Sequence, residues 1–95
     1  MVIVVVNGKA TEAYAIGDVA KMIGRKAQTI RKWELQGFLP PAHRDAVGRR
    51  GYTRRQVDAI VRLVRECGVQ PGRNMFDTGF PDRIREEFEK IEEEV

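Results

Sequence analysis

The run Tyr14–Pro41, YAIGDVAKMIGRKAQTIRKWELQGFLPP, holds two short helical patterns separated by a glycine and closed by prolines. Ile16, Val19, Ala20 and Ile23 fall at i, i+3, i+4 and i+7, so they share one face of a short helix. Asp18 sits in its first turn, where a carboxylate suits the helix dipole, and Gly24 follows it as glycine commonly follows a helix end. A second helix is predicted from about Ala27 to Gln36, stopping at Gly37. Its apolar positions are Ala27, Ile30, Trp33 and Leu35. Ile30 and Trp33, three apart, turn towards the first helix and leave Gln28, Thr29, Arg31 and Lys32 facing outward. Phe38-Leu39-Pro40-Pro41 cannot remain helical, because proline lacks an N–H and restricts the residue before it. Two short helices joined by a tight glycine turn form a helix-turn-helix.

Downstream, Ala42–Tyr52 contains Gly48 and Gly51 beside His43, Arg44, Arg49 and Arg50, and reads as an extended excursion with a glycine-rich turn, hence a hairpin wing. Thr53 is a good N-cap for a helix that carries Val57, Ile60, Val61 and Val64 and ends near Cys67-Gly68. Gly68–Phe80 reads as a linker or packed loop. Pro81 and Asp82 open a last helix, in which Ile84, Phe88, Ile91 and Val95 are spaced 4, 3 and 4 apart among charged residues. Upstream, the β-branched run Val2–Val6 stops at Asn7-Gly8, a strand and tight turn, with Lys9–Tyr14 as a candidate return strand. The expected fold is therefore mainly α. Residues 1–13 form a strand or hairpin, 14–67 a winged helix-turn-helix, 68–80 a linker and 81–95 an acidic amphipathic helix.

The net charge of +3 conceals a polar distribution. From Lys21 to Arg73 there are 13 Lys/Arg against 4 Asp/Glu, and from Asn74 to Val95 there are 3 against 8. A basic body suits a polyanionic partner, and the acidic end suits a separate role. The single cysteine, Cys67, excludes an internal disulfide, fits a reducing cytosol and is expected as a small buried hydrophobe. The apolar start is too short for a membrane span and lacks the marks of a signal peptide. The expected location is thus the cytoplasm. There is no catalytic cluster, nucleophile motif or phosphate-cradling glycine loop, and His43 has no second ligand at useful spacing. Neither an enzyme nor a cofactor or metal site is expected.

The Tyr14–Pro41 run resembles the opening of the MerR family of DNA-binding domains. The match lies at Ile16, Gly17, Val19, Ala20, Gly24, Thr29, Arg31, Trp33, Glu34, Gly37, Leu39 and Pro40, with Ile30 in place of a leucine. Arg44 and Gly48-Arg49-Arg50-Gly51-Tyr52-Thr53 then stand where the family has its wing motif. Lys32 replaces an aromatic residue and Arg49 a tyrosine, and both changes add charge. The resemblance implies a winged helix-turn-helix bound to double-stranded DNA, with the second helix in the major groove. The paired cysteines of metal-sensing members are absent. No long dimerisation helix or effector domain is expected after the wing, and no small-molecule effector.

On that reading Arg31 is the candidate base reader, since arginine can bond both acceptors of guanine, although a phosphate contact is open to it as well. Gln28 and Thr29 either read bases or cap their helix. Arg25, Lys26 and Lys32 are expected on phosphates, with Arg44, Arg49 and Arg50 on the wing. Tyr52 either bonds a phosphate or anchors the wing to the core. Arg54 and Arg55 open a helix, against its dipole, which favours an anionic partner nearby. The expected function is a sequence-specific transcriptional regulator. The alternatives are an excisionase-like factor of the phage type, which bends DNA for a recombinase, and a packaging adaptor resembling terminase small subunits. Residues 81–95 are the candidate surface for a weak homodimer or a protein partner.

Overall fold

The structure, a computed structural model, describes residues 1–93. The run Val2–Val6 forms β1 and turns at Asn7-Gly8 into β2 (Lys9–Ala15). Both turn residues adopt positive φ, 50° and 81°, the geometry in which a two-residue turn follows the twist of its strands. The antiparallel register runs from Val2 opposite Ala13 to Val6 opposite Lys9. Strict alternation buries Val2, Val4 and Val6 and leaves Ile3 and Val5 in solvent.

β2 leads directly into α1 (Ile16–Met22), and α2 (Ala27–Leu35) follows across Gly24. Then come β3 (His43–Arg44), β4 (Arg50–Thr53) and α3 (Arg54–Glu66). A one-turn α4 (Met75–Thr78) precedes α5 (Phe80–Glu93). The four strands form one antiparallel sheet in the order β1-β2-β4-β3. The two β pieces expected from the sequence are therefore joined: Ala13, Tyr14 and Ala15 of β2 pair with Thr53, Tyr52 and Gly51 of β4. Beneath β1, Gly51 has no space for a side chain, since a Cβ there would lie 2.6 Å from Val2 Cγ2 and 2.9 Å from Ala13 Cβ.

The main core gathers Ile16, Val19 and Ala20 from α1, Ile30 and Trp33 from α2, and Val57, Ile60 and Leu63 from α3. α5 contributes Phe80, Ile84 and Phe88 to the same core. The Trp33 ring lies 5.7 Å from that of Phe80, and Tyr52 lies 5.9 Å from Phe88. Residues 68–80 pack as well. Val69 is buried, Asn74 Oδ1 accepts from Phe76 N at 2.9 Å to start α4, and Gly79 closes it with φ 74°. The sequence carries no sign of α4, because four residues are too few to leave a hydrophobic period. Val95, the last position of the expected apolar stripe, lies outside the described residues. Cys67 is buried and free.

Thr53 and Gln56 form a capping box at the head of α3. Thr53 N donates to Gln56 Oε1 at 3.0 Å and Gln56 N donates to Thr53 Oγ1 at 3.4 Å. This pins the junction where β4 becomes α3. Among the described residues no helix is long and apolar enough to cross a membrane.

Candidate nucleic-acid interface

α2 has an inner and an outer face. Ile30 and Trp33 are buried against the core, while Gln28, Arg31 and Lys32 are exposed and Thr29 is half-covered. With Lys26 and Leu35 they line a shallow hollow of about 530 Å³. Leu35, apolar like Ile30 and Trp33, is 88 % exposed. A second cleft, of about 250 Å³, is lined by Ala15, Ile16 and Gly17 on one side and Gly48, Arg49 and Arg50 on the other, with Arg31 between them. Arg31 belongs to both hollows, so one basic surface runs from the outer face of α2 to the β3–β4 hairpin.

The hairpin turn is held from within. Asp45 Oδ1 accepts from Val47 N at 3.0 Å and from Arg49 N at 2.8 Å, while Asp45 Oδ2 meets Arg49 Nε at 2.7 Å. Burial pushes the Asp45 carboxyl up, but the Arg49 N–H, the Arg49 guanidinium and the Val47 N–H outweigh it and hold the group below its ordinary value. Arg44 Nη1 donates to Gly48 O at 2.8 Å across the same turn. Both arginines remain exposed at the surface.

The hairpin is tied to α2 by Glu34, whose side chain is 11 % exposed. Glu34 Oε1 accepts from Arg50 Nε at 2.7 Å, and Oε2 accepts from Ala42 N at 3.1 Å. The Tyr52 hydroxyl lies 3.5 Å from Oε2 and donates to Pro40 O at 2.9 Å. Burial, and then the negative charge of Glu34, raise the Tyr52 phenol above its ordinary value, against a smaller opposing effect of Arg50. Of the two roles open to Tyr52 in the sequence, the geometry is that of the anchor. The ring is fully buried and its hydroxyl points into the protein, so Tyr52 is corrected from a phosphate contact to a core residue. Arg50, only 31 % exposed, is engaged with Glu34.

The other expected contacts do not line these two hollows. Arg25 Nη2 donates to Val69 O at 3.1 Å, which fastens the turn between α1 and α2 to the loop after α3. Arg54 reaches Asp58 Oδ1 at 3.4 Å and the Tyr14 hydroxyl at 3.3 Å. It lines clefts with Met22 and Val57, and with Thr11 and Glu12. Arg55 lines clefts beside Glu87 and Ile91 of α5. The structure thus gathers Lys26, Gln28, Thr29, Arg31, Lys32, Arg49 and Arg50 along one face, with Arg44 on the same hairpin, while Arg25, Arg54 and Arg55 line neither hollow. Sequence reasoning misses Glu34 and Asp45 as supporting residues. Each is a lone acid in a run of cations, and that isolation is the available signal.

Among the described residues no group of His, Cys, Asp and Glu is arranged to hold a metal ion. The acidic α5 is bound to the domain by Arg62–Glu87 at 3.1 Å and Arg83–Glu66 at 2.9 Å. Comparison with curated proteins finds no match. Residues 14–70 match the family described as MerR HTH family regulatory protein, a span that runs from the end of β2 past α3.

Proposed function

Since the chain belongs to the MerR helix-turn-helix family, whose members are DNA-binding regulators, we propose that it recognises particular duplex sequences and regulates transcription from them. The observation that carries this reading is the cleft in which Arg31 of α2 faces Arg49 and Arg50 of the hairpin. A helix face lined by Gln28, Thr29 and Arg31 supplies donors and acceptors for base edges in the major groove. The β3–β4 hairpin acts as the wing.

Within this reading Arg31 is the base reader, with Gln28 and Thr29 beside it. Lys26, Lys32, Arg44 and Arg49 contact phosphates, where each cation displaces condensed counterions and adds salt-dependent affinity. Arg50 contributes chiefly by fixing the wing relative to α2, so that helix and wing meet the duplex as one rigid body. Such pre-organisation lowers the ordering cost of binding. The acidic α5 completes the core and leaves its outer carboxylates in solvent.

The test is selection of duplexes from a random pool, followed by footprinting of the recovered sequence and a promoter reporter carrying it. A recovered consensus with a footprint and changed reporter output supports the proposal. Recovery of no consensus overturns sequence recognition. A footprint without any transcriptional effect overturns the regulatory role and favours the excisionase-like use of the same surface.

A further inference from the structure

Leu35 stands out on the outer face of α2. It is the most exposed large hydrophobic residue among the described residues, at 88 %. Gln28, Arg31, Lys32 and Leu35 occupy i, i+3, i+4 and i+7, which places them on one stripe of the helix. All four line the same hollow. The inner face of α2 is already supplied by Ile30 and Trp33, so Leu35 contributes nothing to the core. An apolar side chain left in water forgoes the favourable burial available to it. On a stripe otherwise made of donors and cations, it is the one group complementary to an apolar atom of the groove.

In the major groove the only apolar group on a base edge is the 5-methyl of thymine. Resting on the proposal that α2 lies in that groove, we infer that Leu35 reads a thymine methyl next to the bases contacted by Arg31 and Gln28. The same contact accepts 5-methylcytosine, which presents an identical methyl group at the same ring position. Leu35 is thus a specificity-determining residue: it distinguishes thymine from uracil, and methylated from unmethylated cytosine.

The experiment uses the full chain and the duplex that it selects from a random pool. Each thymine of that duplex is replaced in turn by deoxyuridine, which deletes one methyl and leaves every hydrogen-bonding group in place. The expected result is one position at which wild-type binding weakens by about fourfold, the factor corresponding to roughly 0.8 kcal/mol for a buried methyl. Leu35→Ala binds the thymine duplex more weakly and does not distinguish thymine from uracil there. Placing 5-methylcytosine at that position, paired with guanine, improves wild-type binding over unmodified cytosine and leaves Leu35→Ala unmoved. The thermal midpoint of Leu35→Ala should match the wild type, because the side chain is 88 % exposed and outside the core, and leucine and alanine differ little in helix propensity. The inference is overturned if no deoxyuridine substitution affects the wild type, or if Leu35→Ala retains the full thymine–uracil difference. If no duplex is selected at all, the placement of α2 in DNA fails, and that outcome is distinct from a failure of the methyl contact.

Discussion

Glu34 on α2 and Arg50 on β4 meet at 2.7 Å, and the same carboxylate also receives the N–H of Ala42. The helix that carries the outward basic stripe and the hairpin that carries the arginine turn are therefore joined through one acid. Removing it leaves a half-buried guanidinium and a backbone N–H without their common acceptor, while the Tyr52 hydroxyl keeps its bond to Pro40 O. Glu34→Ala is expected to destabilise the fold by about 2 kcal/mol, in the range for hydrogen bonds to a charged group. Arg50→Ala should cost less, because a carboxylate that keeps the Ala42 N–H and the Tyr52 hydroxyl nearby is not orphaned. Urea titrations of the two single variants and the double variant measure the coupling. Additive effects would show that the pair does not act as a unit.

Arg31 and Lys32 are neighbours in sequence but are expected to differ in what they recognise. Arg31→Ala should lose about 1–3 kcal/mol of discrimination at one base pair while retaining non-specific affinity. Lys32→Ala should weaken all duplexes about equally and reduce the magnitude of the salt slope by about 1. Binding isotherms on the selected site and on a scrambled duplex, each at several salt concentrations, separate the two effects. A Lys32 variant with an unchanged salt slope would remove that residue from the phosphate surface.

Much of this surface is legible in the sequence, because short-range signals specify it. The i, i+3, i+4 spacing of Ile16–Ile23, the closing Gly24 and the prolines after Leu39 all act within a few residues. The joining of the two hairpins is not legible. Nothing local in Lys9–Ala15 states that Ala13–Ala15 will pair with Gly51–Thr53, since strand pairing is fixed by the tertiary core. Spacing turns Trp33 towards α1, yet its ring partner is Phe80, which lies beyond an irregular stretch where periodicity is silent. Residue type alone groups Leu35 with the apolar positions, and only its place on the helix reveals its exposure. The supporting acids Glu34 and Asp45 act across turns and strands, so their partners appear only once the hairpin is folded.

The Tyr52 phenol gives a pH dependence with a definite sign. Its folded value lies above the unfolded one, so the folded state holds the proton more tightly. The associated stability is fully present below the ordinary phenol value of about 10 and is lost as pH rises beyond it. Denaturant midpoints should fall across that alkaline range in the wild type. Tyr52→Phe should unfold about 1 kcal/mol more easily at neutral pH, through loss of the bond to Pro40 O, and should show a shallower alkaline decline. An identical decline in both proteins would place the titration elsewhere.

The Asp45 carboxyl has the opposite sign. Its folded value is depressed, so the turn it holds is stable above the ordinary carboxylate value of about 3.9 and loosens as pH falls through the lower folded value. Amide signals of Val47 and Arg49 should report this transition by NMR, and Asp45→Asn should abolish it. The same substitution releases Arg49 from its partner, so amide exchange at residues 47–49 should quicken at neutral pH while α1, α2 and α3 keep their protection. Unchanged exchange in the turn would mean that its geometry does not depend on the carboxylate.

Gly51 tests the joining of the two hairpins. Its φ is ordinary, so backbone conformation alone does not demand glycine. The demand comes from Val2 Cγ2 and Ala13 Cβ, which lie 2.6 Å and 2.9 Å from where a methyl carbon on Gly51 would sit. Gly51→Ala should therefore cost about 1–3 kcal/mol by overpacking. Shortening the opposing side chain relieves the nearer clash but leaves the Ala13 contact, so Val2→Ala should recover part of the loss in the Gly51→Ala background. In the wild-type background Val2→Ala should instead destabilise, because it opens space beneath β1. That reversal of sign is the signature of direct contact between β1 and β4. If Val2→Ala harms both backgrounds equally, the N-terminal hairpin does not bear on Gly51, and the strand order β1-β2-β4-β3 would hold without the packing that closes β1 over β4.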